Sequence, residues 1–142
     1  MKLQYTSSIT RYEGDYPSLS AFLMSIAPKE SDRESFLSRA EGNFRGGRNG
    51  FSLSYKEENG TSASIVYEGD MLRFTRGITQ AAFSLSRITS FSYVTDLGAM
   101  PVSAYTERLD VMERDGKLLL TLSYFMHISG MVQKTVMKWK LF

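Results

Sequence analysis

Two alternating stretches separated by a tight turn lie near the end of the chain, at residues 117–141: KLLLTLSYFMHI, then SG, then MVQKTVMKWKL. In the first stretch, every second residue from Leu118 to Ile128 is apolar or aromatic. In the second, apolar residues such as Trp139 alternate with the lysines Lys134, Lys138 and Lys140. A period of two places side chains alternately on the two faces of a strand. The pattern predicts an antiparallel hairpin with one face in a core and a lysine face in water.

The same alternation recurs upstream, for example as FSLSY at 51–55 and FSLS at 83–86. Turn dipeptides separate most of these stretches: Asn49-Gly50, Asn59-Gly60, Gly69-Asp70, Asp115-Gly116 and Ser129-Gly130. Such short connections favour antiparallel neighbours, because a parallel connection needs about a dozen residues or more. We predict about ten strands, at residues 3–12, 40–45, 50–57, 61–68, 71–76, 80–86, 89–96, 100–112, 117–128 and 131–141.

So many short antiparallel strands predict a closed sheet, since closure removes exposed strand edges. The predicted fold class is all-β: an antiparallel β-barrel of about 8–10 strands. The chain has 142 residues, which corresponds to one domain spanning residues 1–142.

One segment, at about residues 18–38, departs from the β pattern. Ser18 precedes apolar residues spaced as on one helical face, namely Leu19, Phe22, Leu23 and Ile26. Further on, Ser31 and Glu34 match a capping box. We predict a short helical insertion after the first strand, with helices at about 19–26 and 32–38, although residues from Phe36 onward are equally compatible with the start of a strand.

Composition excludes several functional classes. The chain has no Cys and a single His, His127, which removes disulfides, thiolate nucleophiles and cysteine-containing zinc sites. The net charge of +2 is small for non-specific nucleic-acid binding. No apolar run is long enough for a membrane helix, and the first residues lack the apolar region of a signal peptide. We therefore expect a cytoplasmic protein with no membrane partner.

From Gly42 onward the chain resembles the YwiB-like bacterial domain of unknown function. The matching stretches are short and mostly form turns: EGNF at 41–44, SYKEE at 54–58, GT at 60–61, EGD at 68–70, RG at 76–77, Phe83, and YVTDLG at 93–98. The resemblance implies a calycin-like β-barrel, the architecture shared by lipocalins, and implies no activity. In that family the first and second strands are generally joined by a short connection, so residues from Ser18 to about Arg39 are interpreted as an insertion.

Candidate catalytic groups are few, and we predict no enzyme, no catalytic residue, no metal site and no cofactor. His127, the only histidine, falls near a strand end on the predicted outer face, away from any pocket. The acidic pairs lie at turns or strand ends, where carboxylates usually serve solubility: Glu57-Glu58, Glu68 with Asp70, and Glu107 with Asp110. The tract RGGRNG at 45–50 resembles an RNA-associated motif, but one copy is more simply a hairpin loop.

A barrel interior is the remaining candidate site, since a barrel of this size encloses either packed side chains or one small ligand. Arg76 shares a face with Leu72 and Phe74, so its guanidinium is predicted to point inward near one end. A buried arginine needs a partner, which is either an internal glutamate or an anionic ligand. Tyr93, Tyr105 and Tyr124 fall on the apolar sides of their strands, and we interpret them as further pocket residues. A filled core with an internal arginine–acid pair remains the main alternative.

The leading hypothesis is therefore a non-catalytic binding domain for a small, partly apolar ligand, with an anionic group as an option. Leu19, Phe22, Leu23 and Ile26 would close the pocket as a lid. This layout is similar to that of intracellular fatty-acid-binding proteins. In a second hypothesis, the same helical face binds a protein or a second copy as a homodimer. A third and less favoured hypothesis is RNA binding through the lysine face.

Overall fold

The computed structural model describes all residues, Met1–Phe142, and contains the ten predicted strands. Their bounds are β1 Lys2–Tyr12, β2 Glu30–Gly47, β3 Gly50–Lys56, β4 Ser62–Glu68, β5 Met71–Arg76, β6 Thr79–Ser84, β7 Ile88–Thr95, β8 Gly98–Arg114, β9 Lys117–Ile128 and β10 Met131–Leu141, with a helix α1 at Leu19–Leu23. All strand pairings are antiparallel, in the order β6-β5-β4-β3-β2-β1-β10-β9-β8-β7. The predicted all-β class and antiparallel topology are confirmed.

The sheet curls into a nearly closed barrel, in which the end strands β6 and β7 meet through side chains. The Thr89 hydroxyl donates to the Ala82 carbonyl oxygen, and the Val94 N–H donates to Thr79 Oγ1 at 3.2 Å. No backbone ladder joins these two strands. The closing seam is therefore weaker than the other strand junctions, because backbone pairs are replaced by a few threonine contacts.

The C-terminal hairpin has the predicted register and faces. Met131 lies opposite Ile128, and Leu141 lies opposite Leu118. Its inner face supplies Leu118, Leu120, Leu122, Trp139 and Leu141 to a buried core of seventeen residues. At the Ser129-Gly130 turn both central residues have positive φ, as type I′ hairpins require.

The predicted second helix at residues 32–38 is wrong. These residues belong to β2 and pair with β1, for example Asp32 with Arg11 and Phe36 with Ser7. The capping-box spacing of Ser31 and Glu34 is a local signal. Strand pairing and the Arg11 ion pairs to Asp32 and Glu34 override it. Nearly half of the supposed insertion, Glu30–Arg39, is thus an extension of β2.

The helix α1 is shorter than the predicted 19–26, and it does not cover the barrel mouth. Its buried residues, Leu19 and Phe22, pack on the outer face of the sheet, where the Phe22 ring lies 5.5 Å from that of Phe125. Phe125 alternates with Tyr124, which packs against the barrel core, so Phe125 points outward. The interpretation of Leu19, Phe22, Leu23 and Ile26 as a lid is therefore wrong.

The end of the predicted helix is lost because nothing packs against it. Ile26 is 95% exposed and Ala27 has a positive φ. A helix this short depends on tertiary packing rather than on intrinsic propensity. The interpretation of this segment as an interaction surface stays a prediction.

Candidate functional site

The inner face of the barrel changes from closely packed to open along its length. At one end, Leu3, Leu122 and Trp139 are at most 2% exposed. Towards the other end, inner-face side chains become accessible, and Phe36 is 54%, Tyr93 40% and Met100 36% exposed. We call this region the open end, and its inner-face residues include Ser7, Ile9, Phe36, Tyr93, Met100 and Met126.

The opening arises from unequal strand lengths. β2 pairs with β1 from Glu30 to Glu41, but β3 pairs with β2 only from Gly42 onward. The first half of β2 therefore has a neighbour on one side only. Because β3 does not continue beside it, side chains such as Phe36 have no strand facing them and stay accessible.

Arg76 lies on the inner face of β5 at the open end, but it is not buried as the sequence suggested: its side chain is 48% exposed, and its partner is Glu57, the residue after β3. Arg76 Nε and Nη2 donate to the two Glu57 carboxylate oxygens at 2.6 and 2.8 Å. The hydrogen bond to Glu57 raises the pKa of Arg76. Such a bidentate pair occupies the Nε–Nη2 edge of the guanidinium and compensates its charge, so Arg76 already has the carboxylate partner that a ligand would otherwise supply.

A second arginine at the open end is paired as well. Arg11 lies on the inner face of β1, and its guanidinium contacts Asp32 at 3.2 Å and Glu34 at 2.7 Å. Asp32 and Glu34 share this one cation, so the Arg11 cluster has a surplus of one carboxylate.

The three predicted tyrosines occupy different places. Tyr93 lies at the open end on the same face as Phe91. Tyr124 lies deeper on the inner face, with its ring 4.5 Å from that of Phe83; burial raises its pKa. Tyr105 is on the outer face beside Phe125 and α1, so its interpretation as a pocket residue is wrong. The bulge after Thr106 shifts the alternation of β8, so Tyr105 lies on the face opposite to that of Leu109 and Val111.

One inner-face hydroxyl is buried without a hydrogen-bond partner. It belongs to Thr106, which lies opposite Tyr124 on the neighbouring strand β9. Buried polar groups are usually hydrogen-bonded, so a hydroxyl at this level of the barrel is free to form a further hydrogen bond. Alternation in β8 was disturbed by the bulge after Thr106, which is why sequence reasoning missed Thr106.

Other open-end residues were missed for a different reason. Tyr5 lies on β1, and Glu57, which the sequence showed only as half of an acidic pair, follows β3; only the barrel register places both near Arg76. The Tyr5 ring is 5.2 Å from that of Tyr55, and burial raises the pKa of Tyr5. The sequence shows only that these residues alternate with apolar residues, and this pattern does not show which strands meet in the barrel.

The remaining candidates lie outside the open end. His127 Nε2 donates to the Tyr16 carbonyl oxygen at 2.7 Å on the outer face, which confirms its predicted position. Lys134 binds Glu107 at 2.9 Å, so the lysine face is partly neutralised. No His, Cys, Asp or Glu side chains group in threes in a metal-binding arrangement, and no helix is long and apolar enough to cross a membrane.

Two depressions, of about 620 and 590 Å³, lie on the outer surface of β2–β5 and not inside the barrel. Both are lined mainly by small polar residues such as Asn43 and Ser54. They contain no unpartnered buried polar side chain. We therefore place the candidate site at the open end, where accessible aromatic residues and charges converge.

Comparisons with known proteins agree with this fold. A family model described as a domain of unknown function, DUF1934, matches residues 23–138. The crystal structure of the ywiB protein from Bacillus subtilis superposes with a TM-score of 0.61 at 13% identity, covering 98% of this chain and 92% of that one. None of the curated proteins matches the chain. The resemblance to YwiB-like domains and the calycin-like barrel are confirmed.

Proposed function

Because this chain belongs to the DUF1934 family of domains of unknown function, we propose a function from the shape of the molecule: the open end binds a small, partly apolar ligand without catalysing a reaction. The observation that carries the proposal is the change from a packed to an accessible inner face. A barrel evolved only for a filled core has no need of exposed aromatic side chains on its inner wall, since exposed apolar surface is unfavourable in water.

The composition of the open end supports binding rather than catalysis. Phe36, Tyr93 and Met100 offer apolar contacts, and methionine adapts readily to irregular ligands. The acids and arginines here are already joined in ion pairs, so none is poised as a free general acid or base. The single histidine is on the opposite face of the sheet.

The test is native mass spectrometry of the purified protein, followed by displacement of a neutral environment-sensitive dye, Nile red, by decanol. We expect a co-purified species or saturable displacement. Phe36→Asp should abolish binding, because it places a charge on the inner wall. Leu37→Asp is the matched control: Leu37 is the next residue of β2, is similarly exposed at 57%, and faces outward. Absence of dye binding and of any co-purified species would overturn the proposal, as would equal loss in the two variants.

A further inference from the structure

We infer that the open end selects an uncharged or cationic apolar ligand and rejects carboxylates. This inference rests on the proposed function and concerns the ligand class. It replaces the anionic option that the sequence left open, because both arginines that could hold an anion already have acidic partners.

The Arg76 pair is the first reason. Glu57 receives two hydrogen bonds from Arg76 and is the more buried of the two partners. A ligand carboxylate would have to displace Glu57 and leave that carboxylate without its cation, and uncompensated buried charge is costly. The pair is thus expected to persist when a ligand binds.

The second reason is the surplus of negative charge. Asp32 and Glu34 share the single cation of Arg11. An anion bound beside Arg11 would add a third carboxylate to this cluster, whereas a cation would restore its neutrality. Like-charge juxtaposition disfavours the wrong partner in such sites.

Two neutral features favour the same ligand class. Tyr93 and Phe36 present aromatic rings at the open end, and ring faces attract ammonium groups. Deeper in the barrel, Thr106 Oγ1 is buried without a partner on the inner face, opposite Tyr124 of β9. A hydroxyl both donates and accepts, so it suits an alcohol or an amide.

The experiment uses three ligands with the same alkyl chain: decanol, decyltrimethylammonium and decanoate, each displacing Nile red from the full-length protein. We expect decanol and decyltrimethylammonium to bind, and decanoate to bind about tenfold more weakly or worse. Decanoate binding as tightly as decanol would overturn the inference while leaving the proposed function intact. Failure of all three ligands and of the dye would instead overturn the proposed function, and the inference with it.

Variants of the acidic residues test whether the ion pairs cause the weaker binding of decanoate. Glu57→Gln frees Arg76 and should improve decanoate affinity by about threefold or more relative to decanol. Glu107→Gln is the matched control, since Glu107 also binds a cation but on the outer face, and it should leave the ratio unchanged. Circular dichroism verifies folding. If Glu57→Gln does not fold, Glu34→Gln at the accessible Arg11 cluster should shift the same ratio in the same direction. An unchanged ratio in the folded variant would overturn the inference.

Discussion

The indole Nε1 of Trp139 donates a hydrogen bond to the hydroxyl oxygen of Tyr55 at 3.1 Å inside the barrel. Trp139 belongs to β10 and Tyr55 to β3, and two strands separate them in the sheet. Both side chains are buried, and the Phe74 ring lies 5.9 Å from that of Trp139. This contact ties two walls of the barrel together at the level where the packed interior gives way to the open end.

Tyr55→Phe should therefore destabilise the protein. It removes the acceptor and leaves the Trp139 N–H buried without a partner, at a cost of about 1–3 kcal/mol. Urea unfolding measures the difference in the free energy of unfolding. Tyr105→Phe is the control, since the Tyr105 hydroxyl makes no side-chain hydrogen bond and lies on the outer face; equal stability of the two variants would contradict the prediction.

Thr106→Val should have the opposite effect. The Thr106 hydroxyl is buried without a partner, and valine has the same shape without the polar group. We expect the variant to gain up to about 1–3 kcal/mol in the free energy of unfolding. Ser123→Ala should lose stability, because the Ser123 hydroxyl donates to Glu107 Oε1 at 2.7 Å. A loss of stability in Thr106→Val would show that its hydroxyl is satisfied.

Acid should weaken the fold partly through Glu107. Burial opposes its ionisation, but hydrogen bonds from Ser123 and Lys134 prevail and hold its pKa below the ordinary value of 4.5. A carboxyl with a lowered folded-state pKa contributes stability above its unfolded pKa, and this contribution is lost as pH falls through the folded value. The stability difference between the wild type and Glu107→Gln should thus shrink below about pH 4.5. Urea midpoints across this range test it, and a constant difference would count against the role of Glu107.

The β2–β3 hairpin provides a matched pair of glycine substitutions. Gly46 has φ +113° and a Cβ there would lie 2.8 Å from the Phe51 Cα, whereas Gly47 has open space and no such φ. Gly46→Ala should cost about 1–3 kcal/mol, since it combines backbone strain with a clash. Gly47→Ala should be neutral to within about 0.5 kcal/mol. Thermal unfolding compares them, and similar melting temperatures would refute the assignment of strain.

Because α1 packs on the outer face of the sheet, substitutions in it should change the stability of the protein without changing ligand binding at the open end. Phe22→Ala removes a buried ring, with an expected loss of about 3–5 kcal/mol for a fully packed site. Nile red binding by the fraction that stays folded should not change, because Phe22 does not line the open end. Ile26→Ser, at an exposed position, should leave stability unchanged. Light scattering of this variant also tests the predicted homodimer: a lower mass than the wild type would support self-association through the segment.

The sequence alone determined that there are ten strands and where most of their turns lie, although it missed the first half of β2. Alternation in Lys117–Ile128 and Met131–Leu141 reports directly which face is buried, because side-chain direction in a strand has a period of two. Asx-Gly and Ser-Gly turns limit neighbouring strands to antiparallel pairing. These signals are local, which is why the ten strands and the inward direction of Arg76 could be predicted from residues a few positions apart.

Only the tertiary structure decided which residues meet. Residues 31–34 carry a helix-start signal, yet pairing with β1 makes them strand, since long-range hydrogen bonds and the Arg11 ion pairs outweigh local propensity. The Glu57–Arg76 pair, the outward position of Tyr105 and the seat of α1 on the outer face depend on barrel register and on one bulge in β8. Register is a property of strands brought together from distant parts of the chain, so no single stretch of sequence contains it.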